Sequence, residues 1–123
     1  MSTEHKIVDL DPAEAKARLD RGEAVLVDVR EPYEYGAERI PGALLYPLVT
    51  FDPKALPAMW GDRMVILQCG TGRRSGMAAQ RMIEAGAGTV HHVKGGLNAW
   101  KEAKLPILGL NPTTGVIEPK SYG

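Results

Sequence analysis

The run Met64-Val65-Ile66-Leu67-Gln68-Cys69, then Gly70-Thr71-Gly72-Arg73-Arg74-Ser75, then Gly76-Met77-Ala78-Ala79, decides how this chain folds. Four consecutive aliphatic residues, Met64 to Leu67, fit a strand buried on both faces. The two glycines after Cys69 break that run. Beyond them Met77, Ala78, Met82, Ile83 and Ala85 recur at helical spacing and predict a helix from about Ser75 to Ala85. The unit is a strand, a tight turn and a helix.

The same alternation extends in both directions. Upstream, Ile7-Val8-Asp9-Leu10 reads as a short strand, and Asp11-Pro12 as the start of a helix over Ala13–Leu19 that stops near Gly22. Ala24–Val29 is a second buried strand. Tyr33–Arg39 reads as a short helix closed by Ile40-Pro41-Gly42, and Ala43–Tyr46 as a weak strand. Residues 47–63 read as loop, with a helical turn around Leu56–Trp60. Downstream, Thr89–Val93 is another strand, and Gly95-Gly96 opens a short helix over Leu97–Ala103. Residues 106–123, rich in proline and glycine, read as an extended tail. Strands alternating with helices predict one α/β domain with a parallel sheet and helices on both faces. Sites in such sheets lie at the C-terminal ends of strands.

Composition narrows the function. With 44% hydrophobic and 24% charged residues, disorder and collagen-like structure are excluded. The longest aliphatic run is Met64–Leu67, whereas a membrane span needs about 20 apolar residues, so no membrane partner is expected. Met1–Lys6 lacks a basic segment followed by an apolar stretch, and no secretory signal is expected. The single cysteine forms no internal disulfide and cannot supply a multi-cysteine zinc site, which points to a reducing cytoplasm. Net charge is zero, but residues 1–60 carry a balance of −4 and residues 61–123 a balance of +4. That polarity can steer small anions, and it lacks the basic stripe of a nucleic-acid binder.

The chemistry is concentrated at Cys69–Ser75. A glycine-rich turn between a strand and a helix curls its backbone N–H groups inward to bind an anion, and the helix adds free N–H groups and its positive dipole end. Arg73 and Arg74 add two permanent charges. A cysteine in that field is expected to have a lowered pKa. Two reactions fit a nucleophile in such a cradle: attack on the sulfur of a sulfur-containing anion, or attack on the phosphorus of a phosphoester. The structural alternative is a buried cysteine ending a strand, with glycines present for geometry alone.

At these residues the sequence resembles the rhodanese family. Cys69 through Arg74 resembles its active-site loop of a cysteine, four residues and an arginine. Val25-Leu26-Val27-Asp28-Val29-Arg30-Glu31 resembles its Asp-Val-Arg strand end. Arg39-Ile40-Pro41-Gly42-Ala43 resembles its His-Ile-Pro-Gly-Ala segment, and Gly95-Gly96-Leu97-Asn98-Ala99-Trp100 with Leu105-Pro106 its closing motif. The resemblance covers residues 5–107, leaving 108–123 as a C-terminal tail.

What the resemblance implies is a rhodanese-like domain with a central parallel sheet of about five strands, and sulfur transfer through a Cys69 persulfide. The donor would be a small sulfur-containing anion such as thiosulfate, and the acceptor cyanide or a thiol, including a protein thiol. Gly70, Thr71, Gly72, Arg73, Arg74 and Ser75 would hold the anion or the persulfide. No metal or organic cofactor is implied. Phosphatases and arsenate reductases of the same fold remain an alternative, but their loop resembles this one with one residue more. A sulfur carrier or partner-binding module is the other. The sequence departs from the family at Glu38-Arg39, where Gly-His is common. It also has Gly70-Thr71 and Glu34 where thiosulfate-specialised members carry basic residues, so thiosulfate is expected to be a weak or surrogate donor.

Asp28 and Arg30 close a buried strand near the site and are read as a structural ion pair, with support of the active loop as the alternative role. His91 and His92 point to opposite faces of a strand and are read as strand histidines rather than metal ligands. Trp60 and Trp100 are read as core or cleft-wall aromatics, with shielding of the persulfide as a second role for Trp100. Arg73 is either a docking charge or a solvated arginine. Because Cys69 has no second thiol to resolve it, the acceptor must come from outside the chain.

Overall fold

The computed structural model describes residues 6–56 and 63–120. Five parallel strands form the central sheet: β1 (Lys6–Leu10), β2 (Ala24–Asp28), β4 (Leu44–Leu45), β5 (Met64–Gln68) and β6 (Thr89–Val93), in the spatial order β1-β6-β5-β2-β4. Every residue of β2 is buried, as is the second half of β5, which is why both read as unbroken apolar runs. The edge strand β1 is instead largely exposed along its length.

The pleat divides the core in two. Leu26 of β2, Ile66 of β5 and Val93 of β6 face the side covered by α1 (Pro12–Asp20) and α4 (Gly96–Glu102), whose Ala15, Leu97 and Trp100 complete that cluster. Val27, Leu67, Cys69 and Val90 face the other side, against Ala78, Ala79 and Met82 of α3 (Arg73–Glu84). Helices on both faces of a parallel sheet are therefore observed. Trp100 lies on the face away from Cys69 and is core. Its Nε1–H donates to the Pro106 carbonyl at 2.8 Å, so it does not shield the cysteine.

Several local expectations shift. The helix after Cys69 starts at Arg73 because Gly72, with φ near +100°, adopts the left-handed conformation at its N-cap. The short helix α2 covers Pro32–Ala37, and Glu38–Arg39 leave it to form β3. The reason lies in the C-terminal segment. What reads as a loose tail folds back as a hairpin: β7 (Leu108–Leu110) pairs antiparallel with β3, and β8 (Ile117–Pro119) pairs with β7. Asn111 closes that hairpin by accepting from the backbone of Thr113 through its side chain. Glu38 then pairs with Lys101 of α4 at 2.6 Å and Lys120 at 2.8 Å, tying the hairpin to the body. The helical turn expected over Leu56–Trp60 lies, beyond Leu56, outside the described residues, as does Trp60.

Candidate active site

Cys69 follows β5 directly, at the C-terminal edge of the sheet, and its side chain is fully buried. Its Sγ accepts the Gly72 N–H at 3.0 Å and lies 3.5 Å from the Ser75 hydroxyl. The loop therefore closes around the sulfur from two sides.

The neighbouring helix fixes which way the loop peptides point. Leu97 N–H of α4 donates to the Cys69 carbonyl at 2.8 Å, and Asn98 N–H donates to the Gly70 carbonyl at 3.0 Å. With these carbonyls engaged by a helix N-terminus, the loop is held in the turn whose Gly72 N–H reaches the sulfur. Such an approach requires glycine. A Cβ on Gly96 would sit 2.4 Å from the Cys69 carbonyl oxygen and 2.7 Å from the Gly70 carbonyl. Gly95-Gly96 is thus a close-contact device as well as a helix start.

Arg74 pairs with Glu34 of α2 in a two-pronged contact, Nη1 to Oε1 at 2.6 Å and Nη2 to Oε2 at 3.0 Å. That fork holds the Glu34 carboxyl at a pKa of about 2; burial opposes the shift, and the Glu31 backbone N–H adds to it. Glu34 is itself placed by a capping box with Glu31 at the start of α2. The Arg74 pKa is raised, chiefly by Glu34, and the charge of Cys69 adds to the shift. Arg73 points into solvent and Thr71 is exposed.

Asp28 and Arg30 form a buried pair, with Nη2 to Oδ2 at 2.8 Å, and Arg30 also donates to the Glu38 carbonyl at 2.7 Å. Their hydrogen bonds run to each other and to β3, not to the Cys69 loop. The structure brings together Cys69, Gly70, Gly72, Arg74 and Ser75, leaves Arg73 and Thr71 at the rim, and puts Asp28, paired with Arg30, at the end of the adjacent strand beside Gln68.

Three contributors escaped the sequence reading. Glu34 is the partner of Arg74, and the acid pair Glu31-x-x-Glu34 at a helix start was the available signal. Gly96 works by close approach. His92 lies on the Cys69 face of the sheet, with its Nδ1 2.9 Å from Ser75 Oγ and its Nε2 2.6 Å from Asp9 Oδ1. Strand alternation separates it from His91, but only the contact with Ser75 shows which of the two faces Cys69. Among the described residues, no cluster of side chains is arranged to hold a metal ion.

A parallel α/β domain with one buried cysteine in a tight loop, backed by a helix N-terminus and an arginine–glutamate fork, defines a class of cysteine-loop α/β domains. Within it, residues 11–103 match the rhodanese-like domain, and the chain belongs to that family. It is 34% identical over 101 residues to a sulfurtransferase of Allochromatium vinosum, covering 81% of this chain and 94% of that one. It is 38% identical over 99 residues to an uncharacterised protein of Synechocystis, covering 80% of this chain but only 55% of that one. A Rhodopseudomonas palustris structure, described as a possible tyrosine phosphatase, superposes with a TM-score of 0.70 at 32% identity, over 82% of this chain and 84% of that one.

Proposed function

We propose that this protein is a sulfurtransferase that carries a sulfane sulfur as a persulfide on Cys69. The observation that carries the reading is the cradle itself: Sγ at the base of a six-residue loop, with the Gly72 N–H on it at 3.0 Å. In the first half-reaction the Cys69 thiolate attacks the outer sulfur of a donor such as thiosulfate. The Sγ–S bond forms, the donor's S–S bond breaks, and sulfite leaves with the electron pair. The negative charge then rests on the outer sulfur of the persulfide. Loop N–H groups of residues 70–74 and the Arg73 and Arg74 charges offset it. In the second half-reaction cyanide or a thiol takes that sulfur and the thiolate returns.

Cys69 is the nucleophile, Gly70 to Ser75 bind the anion or persulfide, and Asp28 and Arg30 support the loop at one remove by anchoring β3. No cofactor enters either step. The acceptor is external, because the chain holds one cysteine. Chemistry that needs a free thiol suits a reducing compartment such as the cytoplasm. Among the described residues, no helix is long and apolar enough to cross a membrane.

The test is intact mass after incubation with thiosulfate, comparing the native chain with Cys69→Ala. Gain of one sulfur atom only with Cys69 present, and its release as thiocyanate on adding cyanide, is the expected result. A phosphatase reading has support in the description of the Rhodopseudomonas palustris neighbour. No sulfur uptake from thiosulfate, mercaptopyruvate or a persulfide donor, together with Cys69-dependent phosphoester hydrolysis, would replace the first reading with this one.

A further inference from the structure

We infer that His92, oriented by Asp9, receives the proton of the Cys69 thiol through the Ser75 hydroxyl. The chain of contacts is continuous: Cys69 Sγ to Ser75 Oγ at 3.5 Å, Ser75 Oγ to His92 Nδ1 at 2.9 Å, and His92 Nε2 to Asp9 Oδ1 at 2.6 Å. It draws on four elements. Cys69 ends β5, Ser75 lies in the first turn of α3, and Asp9 and His92 stand directly opposite each other in the parallel register of β1 and β6. The inference rests on Cys69 being the sulfur-accepting nucleophile, but it is tested without sulfur transfer.

The hydrogen-bond roles follow from the acceptors. A carboxylate only accepts, so His92 Nε2 carries a hydrogen. A neutral imidazole then presents a bare Nδ1, and the one Ser75 O–H hydrogen goes to it at 2.9 Å in preference to the Gly72 carbonyl at 3.2 Å, leaving the Ser75 oxygen to accept the Cys69 S–H. Deprotonation reverses the chain. The Cys69 S–H bond breaks and its proton passes to Ser75 Oγ as the Ser75 proton passes to His92 Nδ1. The products are a thiolate that accepts from both Gly72 N–H and Ser75 O–H, and an imidazolium held by Asp9. Charge is conserved, and no outside base is needed.

Ser75 and His92 are buried, whereas Asp9 is 57% exposed and opens the far end of the chain to water. The titratable and charged groups around His92 are Asp9 from β1 and Cys69 from the end of β5. On α3 the guanidinium of Arg74 is engaged with Glu34. His91 lies on the opposite face, where burial lowers its pKa and the charges of Arg18 and Lys6 add to that shift. Arg74 favours the thiolate but cannot take up its proton. His92 can.

The experiment titrates the Cys69 thiolate by its ultraviolet absorbance, using Cys69→Ala as the blank, in the native chain and in Ser75→Ala, Ser75→Thr, His92→Gln and Asp9→Asn. Loss of the hydroxyl link in Ser75→Ala and of the proton acceptor in His92→Gln is expected to raise the thiol midpoint by about one pH unit or more. Ser75→Thr, which keeps the hydroxyl, is expected to return it close to native, and Asp9→Asn to shift it less. Reciprocally, the His92 ring titration followed by NMR is expected to move when Cys69 becomes Ala, which a structural hydrogen bond would not cause. An unchanged thiol midpoint in folded Ser75→Ala and His92→Gln overturns the inference. If those variants do not fold, an unchanged His92 titration in Cys69→Ala and an unshifted Asp9→Asn overturn it instead. A native chain that takes up no sulfur while its thiol still responds to His92→Gln keeps the relay and removes the donor chemistry. Sulfur transfer with an unresponsive thiol does the reverse.

Discussion

Gly96→Ala should unfasten the active loop while leaving the sheet in place. Gly96 has φ near +61°, and an added Cβ would lie 2.4 Å from the Cys69 carbonyl oxygen, about 1 Å inside ordinary van der Waals contact. The obstructing atoms are backbone, so no side chain can swing aside. Relief requires separating α4 from the loop, which breaks the Leu97 and Asn98 hydrogen bonds to Cys69 and Gly70, each worth about 1 kcal/mol. The left-handed backbone adds about 1 kcal/mol. The expected loss is about 3 kcal/mol, a large part of a marginal stability. Gly22→Ala is the control, because Gly22 also has positive φ, near +73°, but nothing lies within 4 Å of its Cβ position. It should lose only the backbone contribution, about 1 kcal/mol. Urea unfolding at unchanged m-value reads both. Equal losses for the two variants, with unaltered Cys69 alkylation in Gly96→Ala, would refute the claim that α4 holds the loop carbonyls in place.

Two further outcomes follow from other contacts. Glu34→Gln removes the anionic half of the Arg74 fork. Because the Glu34 pKa is depressed from 4.5 to about 2, its stabilisation is fully present above about pH 4.5 and lost as pH falls through about 2. Native and variant should therefore differ by about 1–2 kcal/mol at neutral pH, after allowing for solvent screening, and converge near pH 2 in paired urea titrations. A gap that persists at pH 2 would mean that the carboxylate charge is not its source. Trp100→Phe removes the donor to Pro106 in a buried setting and should cost about 2 kcal/mol. Since Trp100 packs on the opposite sheet face, Cys69 thiol reactivity should stay native, and a changed alkylation rate would show that the two faces are coupled.

The central sheet was legible because its inner strands advertise themselves. Ala24–Asp28 and the second half of Met64–Gln68 are buried on both faces, so apolar runs bounded by charged or glycine-rich segments mark them without tertiary knowledge. The loop could be read for a similar local reason, since Gly70, Gly72 and the arginines are adjacent in sequence. What could not be read depends on partners far along the chain. Glu34 reaches Arg74 across forty residues, and β3 exists only because Leu108–Leu110 returns to pair with it. Two-residue strands carry no periodicity, so Glu38–Arg39 looked like the end of a helix, and its hairpin partner looked like a tail. Alternation put His91 and His92 on opposite faces without saying which one meets the cysteine, and Ser75 and Asp9 come from different elements, so no one-dimensional pattern joins them.

The site owes its geometry to this division of labour. A six-residue loop contains too few contacts of its own to hold a buried sulfur against the Gly72 N–H, because the loop's carbonyls must be satisfied elsewhere. The α4 N-terminus donates to the carbonyls of Cys69 and Gly70, and α2 holds the loop arginine through Glu34. β6 and β1 take the loop serine through His92 and Asp9. Each of these constraints comes from a different side of the cysteine, so loss of one should loosen one part of the cradle and spare the others. The single-site variants above therefore separate effects that a cysteine substitution alone would merge: the orientation of the loop in Gly96→Ala, its charge in Glu34→Gln, and the proton of its thiol in His92→Gln.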